Sequence, residues 1–212
     1  MATGSTENLI DKYSLSLDVS TTNVGIALWD DSGKLVELKH LELKINKETS
    51  VDDRYIFKTN LLKNYLINFK DRVFEKYSAE IDNIFIEAPL SNTPKNINTT
   101  AMLLGFNGIS CYKLYEIFDV IPKKVTVHES RSIFCPEFIK KTKVKGEIKN
   151  TLSFPKGWKN MEKKEYIRQK VAELEPQIKW FYTRNNTIKD SSYDMSDAYA
   201  VGYSGLKVIG LL

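Results

Sequence analysis

The chain has 212 residues, enough to bury a hydrophobic core without disulfides or a structural metal. Its 42% hydrophobic and 27% charged residues lie in the ordinary globular range, and no run of roughly 18 apolar residues exists to form a membrane-spanning helix. The net charge of +4 is unevenly spread: residues 140–170 hold eleven Lys and Arg against three Glu, so that segment is strongly basic and the rest of the chain acidic. A basic segment on an acidic body fits a polyanionic partner as well as a solvated lysine-rich loop.

In chain order, the polar start from Met1 to Asp11 lacks the apolar stretch of a secretory leader. Residues 13–19 alternate until they reach Asp18, and residues 24–29 form a buried apolar run. The turn Asp31-Ser32-Gly33-Lys34 then leads into a third, alternating strand over 35–43. Val51, Tyr55, Leu62, Leu66, Phe69, Val73 and Tyr77 recur at helical spacing and predict a long helix over 52–77. A strand over 81–88 stops at Pro89; a helix is expected over 99–118 and a strand over 124–129. Residues 130–159 lose the pattern at Pro136, Gly146, Pro155 and Gly157, and read as a basic insertion at about 130–160. Helical spacing resumes over 161–174, stops at Pro176, and returns in a last helix over 192–206. The expected fold is a single α/β domain over 1–212, with an antiparallel three-strand start and a parallel continuation flanked by helices.

Cys111 and Cys135 sit in unrelated segments and read as free thiols of an intracellular, reducing compartment. With two cysteines and two histidines a zinc cage of soft ligands is excluded, so any metal must be held by carboxylates. Four acids stand out. Asp18 ends the first strand and Glu87 the fourth, and a lone acid in an apolar strand is costly unless it is paired or binds a metal. If those strands are neighbours, both carboxylates meet at one sheet edge, where ligands bind in such folds. Asp194 and Asp197 are i and i+3 on the last helix and share a face. Ser191 also offers Asp194 a capping-box role, which leaves Asp197 unexplained. Four carboxylates without His or Cys specify a hard cation, Mg²⁺ or Mn²⁺, and oxygen-only sites of this kind can clamp a phosphodiester between two ions.

The set Asp18-Val19-Ser20-Thr21-Thr22-Asn23-Val24-Gly25, the strand-end Glu87, and Asp194-x-x-Asp197-Ala198-x-Ala200 occur in an order that resembles RuvC-type Holliday-junction resolvases of the RNase H-like superfamily. Residues 98–108 are similar to the helix that follows the Glu in that family. The resemblance implies an RNase H-like mixed sheet and a homodimer acting on four-way DNA junctions in recombination and repair. It further implies metal-dependent hydrolysis giving 5′-phosphate and 3′-hydroxyl ends. By that likeness Asp18, Glu87, Asp194 and Asp197 hold two Mg²⁺ or Mn²⁺ ions, and a basic helper falls on Lys164 or Lys163. Other RNase H-like nucleases share these acids. The Asp-x-x-Thr-Thr-x-x-Gly hairpin also resembles actin-like small-molecule kinases, although no second copy of it occurs.

Lys140, Lys141, Lys143, Lys145, Lys163 and Lys164 are the candidate DNA-binding residues. Ala101, Gly105 and Gly108 form a small-residue stripe that serves either close packing on the helix's own sheet or a dimer contact. Phe134, Phe138, Phe154 and Trp158 interleave with the basic segment, either to stack on unpaired bases or to fold the insertion onto the body. His40 and His128 read as surface or edge-strand residues.

Overall fold

The computed structural model describes residues 10–45, 49–89, 97–144 and 147–212. Strands β1 (Asp11–Val19), β2 (Asn23–Trp29) and β3 (Leu35–Glu42) lead into helix α1 (Val51–Tyr77), strand β4 (Ala79–Ala88) and helix α2 (Ile97–Phe118). Then come β5 (Lys123–Thr126), α3 (Val127–Phe134), a two-strand hairpin of β6 (Ile139–Val144) and β7 (Glu147–Leu152), α4 (Asn160–Leu174) and α5 (Asp190–Val208). The main sheet runs β3-β2-β1-β4-β5, with β1–β2 and β2–β3 antiparallel and β1–β4 and β4–β5 parallel. This is the α/β mixed sheet expected, and no described helix is long and apolar enough to cross a membrane.

The central strand sorts its residues by parity, because neighbouring side chains of a strand point to opposite faces. Leu15 and Leu17 join Ile84 and Ile86 of β4 in a core against Leu62, Leu66, Phe69 and Val73 of α1 and Phe106 and Leu114 of α2. Full burial of each such side chain contributes about 1.5–3 kcal/mol. Ser14 and Ser16 are buried on the other face, where Trp29, Phe85 and Val125 meet residues of α3, α4 and α5. Small residues here let α5 lie almost on the sheet. The Trp29 Nε1–H donates to Ser16 Oγ at 3.0 Å, and that hydroxyl donates to the Ala198 carbonyl at 2.9 Å. A Cβ at Gly25 would fall 1.9 Å from the Asp194 carbonyl oxygen, and one at Gly202 would fall 2.3 Å from Ser16 Oγ. Glycine at these two positions is what allows the approach.

Two expectations are corrected. The strand expected over 124–129 ends at Thr126, and α3 takes over at Val127 because Thr126 and Glu129 form a reciprocal capping box. The basic insertion expected from about residue 130 therefore begins with the end of an ordered helix: Ser130 and Phe134 are buried, and the Ser204 hydroxyl donates to the Ser130 carbonyl at 2.9 Å. Most of the remainder is the basic β6–β7 hairpin. Its aromatic residues fold it onto the body: Phe138, Phe154, Trp158 and Tyr166 pack together with ring centroids 4.7–6.0 Å apart, and Phe134 packs on Tyr199 and Tyr203. The cysteines are free, as expected.

Candidate active site

Parity also builds the site. Ser16 faces α5, so Asp18, two residues on, faces it too; Phe85 packs against Gly205 of α5, so Glu87 follows onto the same side. Parallel pairing of Leu17 with Ile86 sets the ends of β1 and β4 side by side. The Asn107 side-chain amide, buried in α2, donates to the Glu87 carbonyl at 3.0 Å and pins the end of β4. From the other side α5 brings Asp194 and Asp197 to the same edge. Helix α5 starts at Asp190 with Lys189 as its N-cap and no side-chain cap bond, so Asp194 lies a turn inside the helix and the capping role through Ser191 falls away.

The electrostatics are those of excess negative charge in a poorly solvated place. Asp197 is 5% exposed. Burial, then the carboxylates of Glu87, Asp197 and Asp194, push the Asp18 acid well above the usual carboxylate range. Burial and Asp197 raise Glu87 to about 8, against the pull of Arg131 and Lys164. Burial raises Asp194 to about 6 although Lys164 opposes it. Burial works to discharge Lys164, but Asp197 and Asp18 outweigh it and hold its ammonium above the ordinary value.

Lys164 Nζ lies 3.2 Å from one Asp197 oxygen and an Arg131 guanidinium nitrogen 3.8 Å from the other. Lys163 turns away, with its ammonium 5.7 Å from the Phe154 ring centroid. The structure thus separates two lysines that the sequence leaves interchangeable. Asp194 Oδ2 is buried without a hydrogen-bond partner; His40 Nε2 approaches it at 3.8 Å and sits 3.2 Å from Asn23 Oδ1.

The donor set fits a hard divalent cation in kind: carboxylate oxygens in excess over their cationic partners, one of them orphaned. Among the described residues no three His, Cys, Asp or Glu side chains close into a ready-made cage.

Arg131 and His40 were missed or set aside in the sequence. The Thr126-x-x-Glu129 spacing is a legible helix start and would have put Arg131 on a helix rather than in an insertion. Nothing in the local sequence marks His40, which reaches Asp194 only because β3 pairs with β2 opposite Gly25. The other candidates lie further out. Lys140, Lys141 and Lys143 are exposed on β6, and Lys145 lies outside the described residues. Ala101, Gly105 and Gly108 are exposed on α2, and a Cβ at either glycine meets nothing within 4 Å, so the stripe is not packed on its own sheet. His128 is exposed, as expected.

No protein-family model and no curated protein matches the chain. Among solved structures the chain is similar to the Thermus thermophilus RuvC structure, at 10% identity and a TM-score of 0.49 over 93% of this chain and 96% of that one. It is also similar to T. thermophilus RuvC in complex with Holliday junction substrate, at 9% identity, a TM-score of 0.45 and 91% of each chain. Similarity to the ROK hexokinase from Thermus thermophilus reaches a TM-score of 0.35 at 12% identity, over 60% of this chain and 39% of that one.

Proposed function

We propose that the chain is a metal-dependent endonuclease that resolves four-way DNA junctions. The observation that carries this reading is the convergence of Asp18, Glu87, Asp194 and Asp197 on one sheet edge, with Lys164 and Arg131 as the cations set against them. In this reading Asp18, Glu87, Asp194 and Asp197 would hold two Mg²⁺ or Mn²⁺ ions, whose chemistry there would be to activate water and to offset charge on the phosphodiester. Water adds to phosphorus and the P–O3′ bond breaks, leaving a 5′-phosphate and a 3′-hydroxyl. Lys164, poised at Asp197, supports the charge of the scissile phosphate, so Lys164→Ala is expected to slow cutting more than it weakens binding.

Preference for junctions over duplex requires two sites at a fixed spacing, which a twofold dimer provides. The open stripe of Ala101, Gly105 and Gly108, bordered by exposed Met102, Leu104 and Tyr112, is the surface assigned to that contact. Gly108→Leu should then yield monomers that lose paired incisions, read by sedimentation and nicking patterns.

The deciding experiment offers the purified chain four-way, flap and linear DNAs with Mg²⁺. Paired nicks across the junction with ligatable ends are expected. Equal cutting of linear duplex would reduce the reading to a general nuclease, and no cutting of any DNA would reject it.

A further inference from the structure

Beside the acid cluster lies a cavity of about 450 Å³ between α3, the segment leaving β7 and the start of α4. Arg131, His128 and Lys163 line it together with Phe154 and Trp158, and no carboxylate does among the described residues. That composition is unusual next to a site crowded with acids, and it points to a ligand with negative charge and a flat apolar face. We propose that this cavity holds one unpaired nucleotide of the DNA strand, adjacent to the scissile phosphate.

The argument rests on how the cavity joins the acids. Arg131 belongs to both: it lines the cavity, and its guanidinium approaches Asp197 at 3.8 Å, a loose ion pair that leaves most of its five N–H donors for other acceptors. Lys163 and Lys164 are consecutive on α4, and one reaches the cavity while the other reaches Asp197. A strand whose phosphate sits at the acids therefore has its next nucleotide at Arg131 and Lys163.

The aromatic wall is built to take a base. The Phe154 and Trp158 rings lie 6.0 Å apart and 25° from parallel, both half-buried, and they are braced from behind by Phe138 and Tyr166. A rigid aromatic face stacks any base, because every base presents a π surface. Stacking on Phe154 and Trp158 does not depend on which base is present, so what this wall selects is an unpaired nucleotide. An intact duplex keeps its bases stacked inward and gains nothing here. Unpaired nucleotides occur where strands exchange, so the cavity adds a second source of preference for branched DNA.

This inference rests on the nuclease reading for the position of the strand, and the test separates the two. Four-way junctions are made with a normal or an abasic nucleotide at each position flanking the cut. Binding is measured with the full chain in EDTA, and single-turnover cutting in Mg²⁺. Loss of one flanking base should weaken binding about tenfold or more in the wild-type protein. Trp158→Leu should bind both DNAs alike, at the weaker level; Phe154→Leu serves as the second variant should the first fail to fold. Lys163→Gln, a change at the cavity rim, should weaken both DNAs equally, because it removes a phosphate contact and leaves stacking intact. Equal binding of normal and abasic junctions by the wild-type protein, or a Trp158→Leu protein that keeps the difference, would overturn the proposal. Failure to cut any DNA would instead reject the nuclease reading, while the binding comparison still reports on the cavity.

Discussion

Two buried acidic places on this molecule have opposite electrostatics. Glu37 on β3 is a single carboxylate whose Oε1 accepts from Arg72 at 2.5 Å and from the Tyr77 hydroxyl at 2.9 Å, with Lys76 at 3.5 Å. Burial pushes Glu37 up, but Arg72 and Tyr77 together outweigh it and hold it below the usual range. At the edge of β1 and β4 four carboxylates share Lys164 and Arg131, and the shifts of Asp18, Glu87 and Asp194 run upward. An orphaned oxygen does not tell the two apart, since Glu37 Oε2 and Asp194 Oδ2 both lack partners. The balance of charge does. A carboxylate that serves the fold brings its cations with it, whereas the cluster leaves negative charge unmatched and so calls for a cation from outside.

The largest test of that contrast is catalytic. Asp18→Asn, Glu87→Gln and Asp197→Asn should each cut junction DNA about a thousandfold more slowly while still binding it, because they remove charge from the site and leave the basic surface intact. Glu37→Gln should cut at the wild-type rate per folded molecule. A Glu87→Gln protein with wild-type cutting would end the assignment of the cluster.

Stability should sort the same residues the other way. Glu37→Gln should cost about 1–3 kcal/mol at neutral pH, by weakening the charged hydrogen bonds of Arg72 and Tyr77. Since folding lowers the Glu37 pKa, its contribution is present above the unfolded value of 4.5 and fades as pH falls through the folded one. The gap between variant and wild type in urea should therefore close in acid. A gap that stays constant with pH would mean the ion pair is not its source.

Glu87→Gln predicts an effect of opposite sign. With a folded pKa of about 8 against 4.5 unfolded, the native state binds the extra proton between those values. Wild-type stability should then fall as pH rises through that window. In EDTA the Gln variant should melt at or above the wild type at pH 8, an advantage absent near pH 4. Added Mn²⁺ should raise the melting temperature of the wild type and not of the variant. If the variant melts lower at every pH, Glu87 belongs with Glu37 as a structural acid.

The acid cluster was legible from local period, whereas Glu37 carried no mark in the sequence. Alternation in Ser14-Leu15-Ser16-Leu17-Asp18 puts the Asp on the face of the serines, and the i, i+3 spacing puts Asp194 and Asp197 on one helix face. Both are consequences of local period. The partners were not legible in that way. Lys164 and Lys163 are chemically equal in sequence, and only the packing of Ile167 and Val171 against the body sends one to Asp197 and the other to Phe154. His40 reaches the site through pairing of β3 with β2, a long-range fact. Arg131 was the avoidable miss. The capping box at Thr126 marks a helix, and reading 124–129 as one strand hid it.

The contrast extends to the cations. Lys164 is held at the acid cluster, but the hairpin lysines are spread over two faces that the sequence lumps together. The pleat puts Lys140 on one face with Thr142 and Thr151, whose hydroxyls lie 2.5 Å apart in a half-buried position. Lys141 and Lys143 share the other face with Asn150 and Ile148, all exposed, Ile148 at 74%. Lys140 is exposed as well, but its face carries the half-buried threonines, so the more open face of Lys141 and Lys143 is the one expected to meet a DNA backbone. Each neutralised phosphate steepens the dependence of log K on log salt by about 0.9. The double change Lys141→Gln with Lys143→Gln should therefore make the slope shallower by about two, while Lys140→Gln leaves it near the wild-type value. Binding should weaken alike for all DNA sequences, because phosphate contacts carry no base information. The measurement is junction binding across a salt series in EDTA, where cutting does not interfere. An unchanged slope in the double variant would remove the hairpin from the DNA footprint and leave its charge as a solvated face. Recognition would then fall to Arg131, Lys163 and Lys164 beside the acids.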